Sequence, residues 1–237
     1  MINNKKVIGI LSKHVTNEKD SFEDYYMTGS SYVKKLDLDK VIPISLVLEK
    51  DLLNFDTLDL CDAFILPGGY WFEITTLYLI DYAIKNNKPI LGICLGAQTI
   101  AIYSVIKDEL KDKDILEYKD IVSICKKYEK DNFNTLLDFI PKPNYHNHDT
   151  VDKNCYHKIK IDKNSIAFEI FKKEELDVTS FHVHEIKKYG SDFKITAKAE
   201  DGVFEIIEYT KEPLVIGVQF HPELMDTNIF KYFIDRI

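Results

Sequence analysis

Pro89-Ile-Leu-Gly-Ile-Cys-Leu-Gly-Ala-Gln98 runs from a proline through a short apolar stretch into a cysteine set between two glycines. Pro89 to Ile93 has the length and composition of a buried strand, and Ala97 to Val105 begins a helix. A cysteine at that junction, with Gly92 and Gly96 two positions to either side, has the G-x-nucleophile-x-G pattern of a sharp strand-to-helix turn. The glycines are required because such a turn leaves no room for side chains beside the nucleophile. The pattern places the Cys94 sulfur at the carboxyl end of a strand, where open α/β sheets bind ligands. The sulfur also lies at a helix N-terminus, where the dipole favours negative charge.

Working outward, short apolar runs alternate with helical patterns. Strands are expected at Val7 to Leu11, Val41 to Ser45 and Ala63 to Leu66, and helices at Ser21 to Leu36 and Phe72 to Asn86. This alternation predicts an α/β fold, an open doubly wound, mostly parallel sheet with helices on both faces, of the flavodoxin-like type. Residues 107–150 break the rhythm with a charged run and a Pro141-Lys-Pro ending, and read as a partly helical surface insertion or lid. Beyond it, strands are expected at His157 to Ile161, Ile166 to Ile170, Val178 to His184, Phe193 to Ala199, Val203 to Tyr209 and Leu214 to Phe220, with a hairpin turn at Asp201-Gly202. No repeat or linker interrupts the chain, so residues 1–237 are expected to form one domain.

Composition narrows the function. A formal charge of −8, from 39 acidic and 31 basic residues, argues against nucleic acid or an anionic membrane surface as partner. All the basic residues are lysine except Arg236, so a substrate carboxylate must be met by lysine, backbone N–H groups or neutral donors. The N-terminal apolar run is too short for a signal peptide, and no stretch approaches the ~18 apolar residues of a membrane span. Four cysteines in this length do not make a disulfide framework, and a reducing cytoplasm is the expected compartment. Cys61, Cys125 and Cys155 are expected to be ordinary thiols of the core.

The base for Cys94 is expected from Ile216-Gly-Val-Gln-Phe-His-Pro-Glu223. In an extended segment His221 and Glu223 share a face, so the carboxylate orients the imidazole while its other nitrogen meets the sulfur. The Leu95 N–H at the elbow supplies half of an oxyanion hole, and the Pro67-Gly68-Gly69 turn the other half. Tyr70-Trp71-Phe72 either lines the pocket or packs the next helix. The pairs His146/His148, Cys155/His157 and His182/His184 have ligand-like spacing but no four-ligand pattern, so neither a metal nor any other cofactor is expected.

Gly92-Ile-Cys-Leu-Gly-Ala-Gln98 together with Phe220-His-Pro-Glu223 resembles the class I glutamine amidotransferase superfamily. Ser180-Phe-His182, Asp201-Gly-Val-Phe-Glu205 and Gly217-Val-Gln-Phe-His-Pro-Glu223 are similar in order and spacing to the γ-glutamyl-γ-aminobutyrate hydrolase-like group. The resemblance implies a Cys94–His221–Glu223 triad, oxyanion donors at Gly69 and Leu95, and substrate contacts from Gln98 and the Ser180-Phe181 backbone. It implies a small γ-glutamyl substrate, with a stand-alone hydrolase, a glutaminase subunit feeding a partner synthase, and a non-enzymatic binding module as the three readings, in that order. A homo-oligomer is the other partner expected. The chain departs from the group at Tyr70-Trp-Phe-Glu73, at Leu95 where arginine is common, and at Val183-His184.

Overall fold

The computed structural model describes residues 4–16, 24–49, 55–111, 117–140, 146 and 156–237. Apolar positions alternate along its first strand, and that alternation decides the layering. In β1 (Lys6–Leu11), Ile8 and Ile10 join one core cluster while Val7 joins the other. β5 (Ala63–Leu66) does the same, with Ala63 and Ile65 on one face and Phe64 and Leu66 on the opposite one. Successive side chains in a strand point to opposite faces, so both faces of this sheet are buried and both must be covered. One face is covered by α1 (Ser30–Lys34), α6 (Ile166–Phe171) and α7 (Ile229–Ile234). The other is covered by α3 (Ile74–Lys85), α4 (Leu95–Glu109) and α5 (Tyr118–Glu129). A short α2 (Phe55–Leu60) precedes β5.

The remaining strands of the main sheet are β4 (Val41–Leu46), β6 (Ile90–Ile93), β8 (Tyr156–Ile161), β9 (Glu175–Thr179), β11 (Phe193–Ala199), β12 (Phe204–Tyr209) and β13 (Val215–Val218). Their order is β4-β1-β5-β6-β13-β12-β11-β8-β9, nine strands in all. From β4 to β13 every pairing is parallel. From β13 to β9 every pairing is antiparallel. The expected doubly wound α/β fold is present, with an antiparallel half joined along β13. Two small ribbons stand apart: β2 (Lys13–Val15) with β3 (Tyr25–Met27), and β7 (Leu137–Phe139) with β10 (His184–Ile186).

Several expectations fail, each for a local reason. Tyr25 and Tyr26 belong to no helix: they pair with Val15 and His14, and the only described helix before Leu36 is the short α1. Ile166 to Ile170 is the helix α6 and not a strand. Ser165 caps it by accepting from Phe168 N–H, and buried Glu208 accepts from Ile166 N–H (3.1 Å) and Ala167 N–H (2.7 Å). Val178 to His184 is not continuous, because β9 ends at Thr179 and β10 begins at His184. Within 107–150, the described residues include the end of α4, the helix α5 and the strand β7, so the stretch is partly helical as expected. Ile121, Cys125 and Leu136 lie in the core, so this part packs as a layer.

Candidate active site

The elbow forms between β6 and α4. Cys94 occupies it with φ 53° and ψ −105°, a conformation that a side chain rarely tolerates. Close packing enforces the turn: a Cβ on Gly96 would lie 2.2 Å from the Leu66 carbonyl oxygen of the adjacent strand. The parallel pairing of β6 with β5 and β13 brings three strand ends to one edge. The Gly68-Gly69 turn leaves β5 there, and the segment bearing His221 leaves β13.

His221 and Glu223 meet by a route other than the extended one expected. β13 ends at Val218, and Pro222–Leu224 forms one 3₁₀ turn with His221 at its start. The turn folds Glu223 back so that its Oε1 lies 2.7 Å from His221 Nδ1. Thr179 at the end of β9 holds this segment: its hydroxyl donates to the His221 carbonyl (2.9 Å), and its own carbonyl accepts from His221 N–H (3.2 Å). Gly68 leaves room for the pair, since a Cβ there would sit 3.0 Å from His221 Cε1 and 3.2 Å from Cys94 Cβ. Burial by itself would depress the His221 imidazole. The hydrogen bonds and charges of Cys94 and Glu223 outweigh it and push the pKa up to about 10, so the ring is an imidazolium at neutral pH.

Further groups surround the sulfur. Gln98 Nε2 donates to Gln219 Oε1 (3.1 Å) and to the His184 carbonyl (3.1 Å), and Gln219 Nε2 is thereby aimed at Cys94 Sγ, 3.6 Å away. Gly68 N–H donates to the Tyr32 hydroxyl (3.2 Å), which leaves Gly69 as the residue of the turn that stands against Leu95. Burial and the nearby Glu223 charge raise the Tyr32 phenol pKa, so it stays a neutral donor. Leu95 is the first residue of α4, where N–H groups have no partner within the helix.

A cleft of 550 Å³ opens beside this turn, lined among others by Lys13, Tyr70, Trp71, Glu73, Leu95 and Thr99. Tyr70 and Trp71 are 92% and 88% exposed, whereas Phe72 turns inward against Phe133 with ring centroids 5.0 Å apart. All three aromatic residues line the cleft, and Phe72 in addition packs against the turn after α5. Lys13, on β2, is the cation of the wall. Burial lowers its pKa, while the charges of Cys94 and Glu223 act to raise it. Phe181 packs edge-on against the His221 ring at 5.6 Å, and fully buried Ser180 donates to the His146 carbonyl (2.6 Å). Cys61 and Cys125 are buried, which pushes their thiols up to about 11 and about 12 and keeps them protonated. Cys155 and His148 lie outside the described residues.

Sequence reading missed Tyr32, Lys13, Thr179 and the role of Gln219. Gln219 alone carried a signal, two residues before His221 at the end of a buried run. The others come from distant segments whose approach only the sheet order creates.

Three comparisons bear on this geometry. The chain is 28% identical to a glutamine amidotransferase-like protein of Rickettsia prowazekii, over 94% of this chain and 93% of that one. It is 27% identical to the CTP synthase of Buchnera aphidicola, over 93% of this chain but 42% of the synthase, so it spans well under half the length of that relative. The CTPS glutaminase domain of Trypanosoma brucei with bound acivicin superposes with a TM-score of 0.62 at 18% identity, over 95% of this chain and 89% of that one. Among the described residues no helix is long and apolar enough to cross a membrane. The family model for Peptidase C26 matches residues 72–223, from before the elbow to Glu223, and the chain belongs to that family, within the class I glutamine amidotransferase superfamily.

Proposed function

We propose that this chain is a cysteine amidase that hydrolyses γ-glutamyl amides through a thioester on Cys94. The observation that carries the reading is the His221 imidazole, held between the Cys94 sulfur and Glu223 at a strained elbow. In this mechanism the Cys94 thiolate attacks the γ-carbonyl carbon, and the oxyanion accepts from the Gly69 and Leu95 N–H groups. The His221 imidazolium gives its proton to the amine nitrogen as the C–N bond breaks. A water then loses a proton to His221 and attacks the thioester, releasing glutamate and restoring the thiolate.

The substrate's α-carboxylate goes to Lys13, the cation of the cleft in a chain with one arginine. The Ser180-Phe181 backbone faces the other end of the glutamyl group. Gln98 acts through Gln219, because its amide nitrogen is committed to Gln219 and His184.

Screening the protein against glutamine, γ-glutamyl-γ-aminobutyrate, γ-glutamyl polyamines and γ-glutamyl peptides tests the activity. An acid-quenched γ-glutamyl adduct on the Cys94 peptide tests the chemistry. Cys94→Ala is expected to abolish both, and persistence of hydrolysis in that variant sinks the reading. A second reading, a glutaminase subunit supplying ammonia to a separate synthase, is favoured by the extent of the CTP synthase match, which covers this chain but only part of the synthase. Activity on glutamine that appears only with a partner protein selects it.

A further inference from the structure

Away from the elbow, the antiparallel half of the sheet buries three histidines around one carboxylate. Glu205 projects from β12 and is 1% exposed, with His146, His157 on β8 and His182 beside it, all buried. His157 Nε2 lies 3.0 Å from Glu205 Oε1, His146 Nδ1 3.5 Å and His182 Nε2 3.6 Å from that same oxygen. One ligand-capable atom each from His146, His182 and Glu205 falls within 4.8 Å of the other two, the one such group among the described residues.

The outer nitrogens of two of these rings decide the chemistry. His182 Nδ1 is 3.0 Å from the His184 carbonyl, which can only accept, so Nδ1 carries the hydrogen. The neutral ring then turns the lone pair of Nε2 toward the Glu205 carboxylate, at a separation beyond hydrogen-bond length. His146 repeats the arrangement: Nε2 is 2.9 Å from Asp201 Oδ2 and Nδ1 faces Glu205. Lone pairs facing a buried carboxylate repel unless a positive charge lies between them.

We propose that His146, His182 and Glu205 bind a divalent transition ion of the zinc type, with Asp201, the His184 carbonyl and His157 as the groups that orient the ligands. Two neutral imidazoles and a carboxylate form a zinc-type donor set. Imidazole ligands that donate the outer N–H to a carboxylate or a backbone carbonyl are the usual supporting arrangement. Ligand atoms about 2.1 Å from a tetrahedral ion are about 3.4 Å apart, close to the nitrogen-to-oxygen spacings here. The charges of Glu205 and Asp201 balance a divalent ion. The sequence reading expected no metal from the His182/His184 pair, and the two do not act together here: the His184 ring lies tilted against Phe139 (4.5 Å), while the partners of His182 come from other segments. The ion would sit behind the segment that carries Phe181 against His221, which makes it a structural clamp and not a reactant.

The test uses the full chain. Elemental analysis after purification from zinc-supplemented culture is expected to give about one ion per chain. Chelator treatment is expected to lower Tm, and Co²⁺ added to the stripped protein to give the visible d–d absorption of tetrahedral cobalt. Glu205→Gln and His182→Ala should lose the ion at least tenfold, and His184→Ala should keep it. Wild-type protein that holds no stoichiometric metal, shows no cobalt band and has an unchanged Tm with zinc overturns the proposal whether or not the variants fold. An ion retained equally by Glu205→Gln and His182→Ala overturns it as well.

Discussion

At the scale of single residues, the site depends on which groups surround His221. Glu223 and Cys94 hold its proton against the cost of burial, up to a pKa of about 10. In the proposed mechanism the acid that protonates the leaving amine is therefore present through neutrality and lost as pH rises through that value. Glu223→Gln removes an attraction for the imidazolium, so the pKa falls and the alkaline limb of kcat/KM moves to lower pH. Activity at pH 7 should drop by about 10²-fold, as expected when a general acid loses its support. An unmoved alkaline limb, read from a pH–rate profile, counts against Glu223 as the orienting group. Lys13 acts differently, since it lines the cleft and does not touch the reacting bond in the proposed mechanism. Lys13→Met should raise KM about tenfold with kcat little changed, the mark of lost ground-state binding. A fall in kcat at unchanged KM would instead place Lys13 in the chemistry. The meeting of Cys94, His221 and Glu223 was legible because each sits in a short motif, although a 3₁₀ turn and not the expected extended segment brings Glu223 to His221. Lys13 and Tyr32 were not, because a lysine in a polar stretch and a tyrosine beside a glycine carry no local mark of what they will face.

Among the elements, the strands of the parallel half were readable to within a residue or two because they are apolar runs buried on both faces. The misreadings fall where a tertiary partner overrides the local pattern. Ile166-Ala-Phe-Glu-Ile170 alternates as a strand would, yet Glu208 caps it as a helix from β12 across the sheet. Glu208 is fully buried and also accepts from the Thr196 hydroxyl at 2.8 Å. Glu208→Ala leaves two helix N–H groups and one hydroxyl without that partner, and is expected to cost about 2–4 kcal/mol by urea denaturation. Glu208→Gln keeps an acceptor and should cost less. A loss below roughly 1 kcal/mol for the alanine variant would mean that packing of Ala167 and Ile170, and not the cap, holds α6 in place.

Over the whole molecule, β13 is the seam between the parallel half, which carries Cys94, and the antiparallel half, which carries the histidine cluster. The parallel half could be anticipated from its alternating pattern. In the antiparallel half β8, β11 and β12 were legible too, but the helix α6, the break after Thr179 and the order of the strands were not, because they depend on long-range pairings. Its stability depends on charge. Burial alone would raise the Glu205 carboxyl, but the hydrogen bond from His157 (3.0 Å) and the surrounding imidazoles outweigh it and hold the pKa at about 2. The ordinary value is 4.5, so the folded state binds this proton less readily than the unfolded one. The stabilisation is therefore complete above pH 4.5 and is lost as pH falls from there through about 2, amounting to about 3 kcal/mol. Circular dichroism of chelator-treated protein across that window should show acid unfolding driven in part by this group. Glu205→Gln should be less stable at neutral pH and show a shallower acid limb, because it has no proton to gain. An acid limb of equal slope in both proteins would assign the acid sensitivity to other carboxylates. The same loss should release the segment from Thr179 to His184, and with it Phe181 and the backbone that holds His221. Activity at acid pH should thus fall together with the structure of the antiparallel half, ahead of the parallel half that carries Cys94.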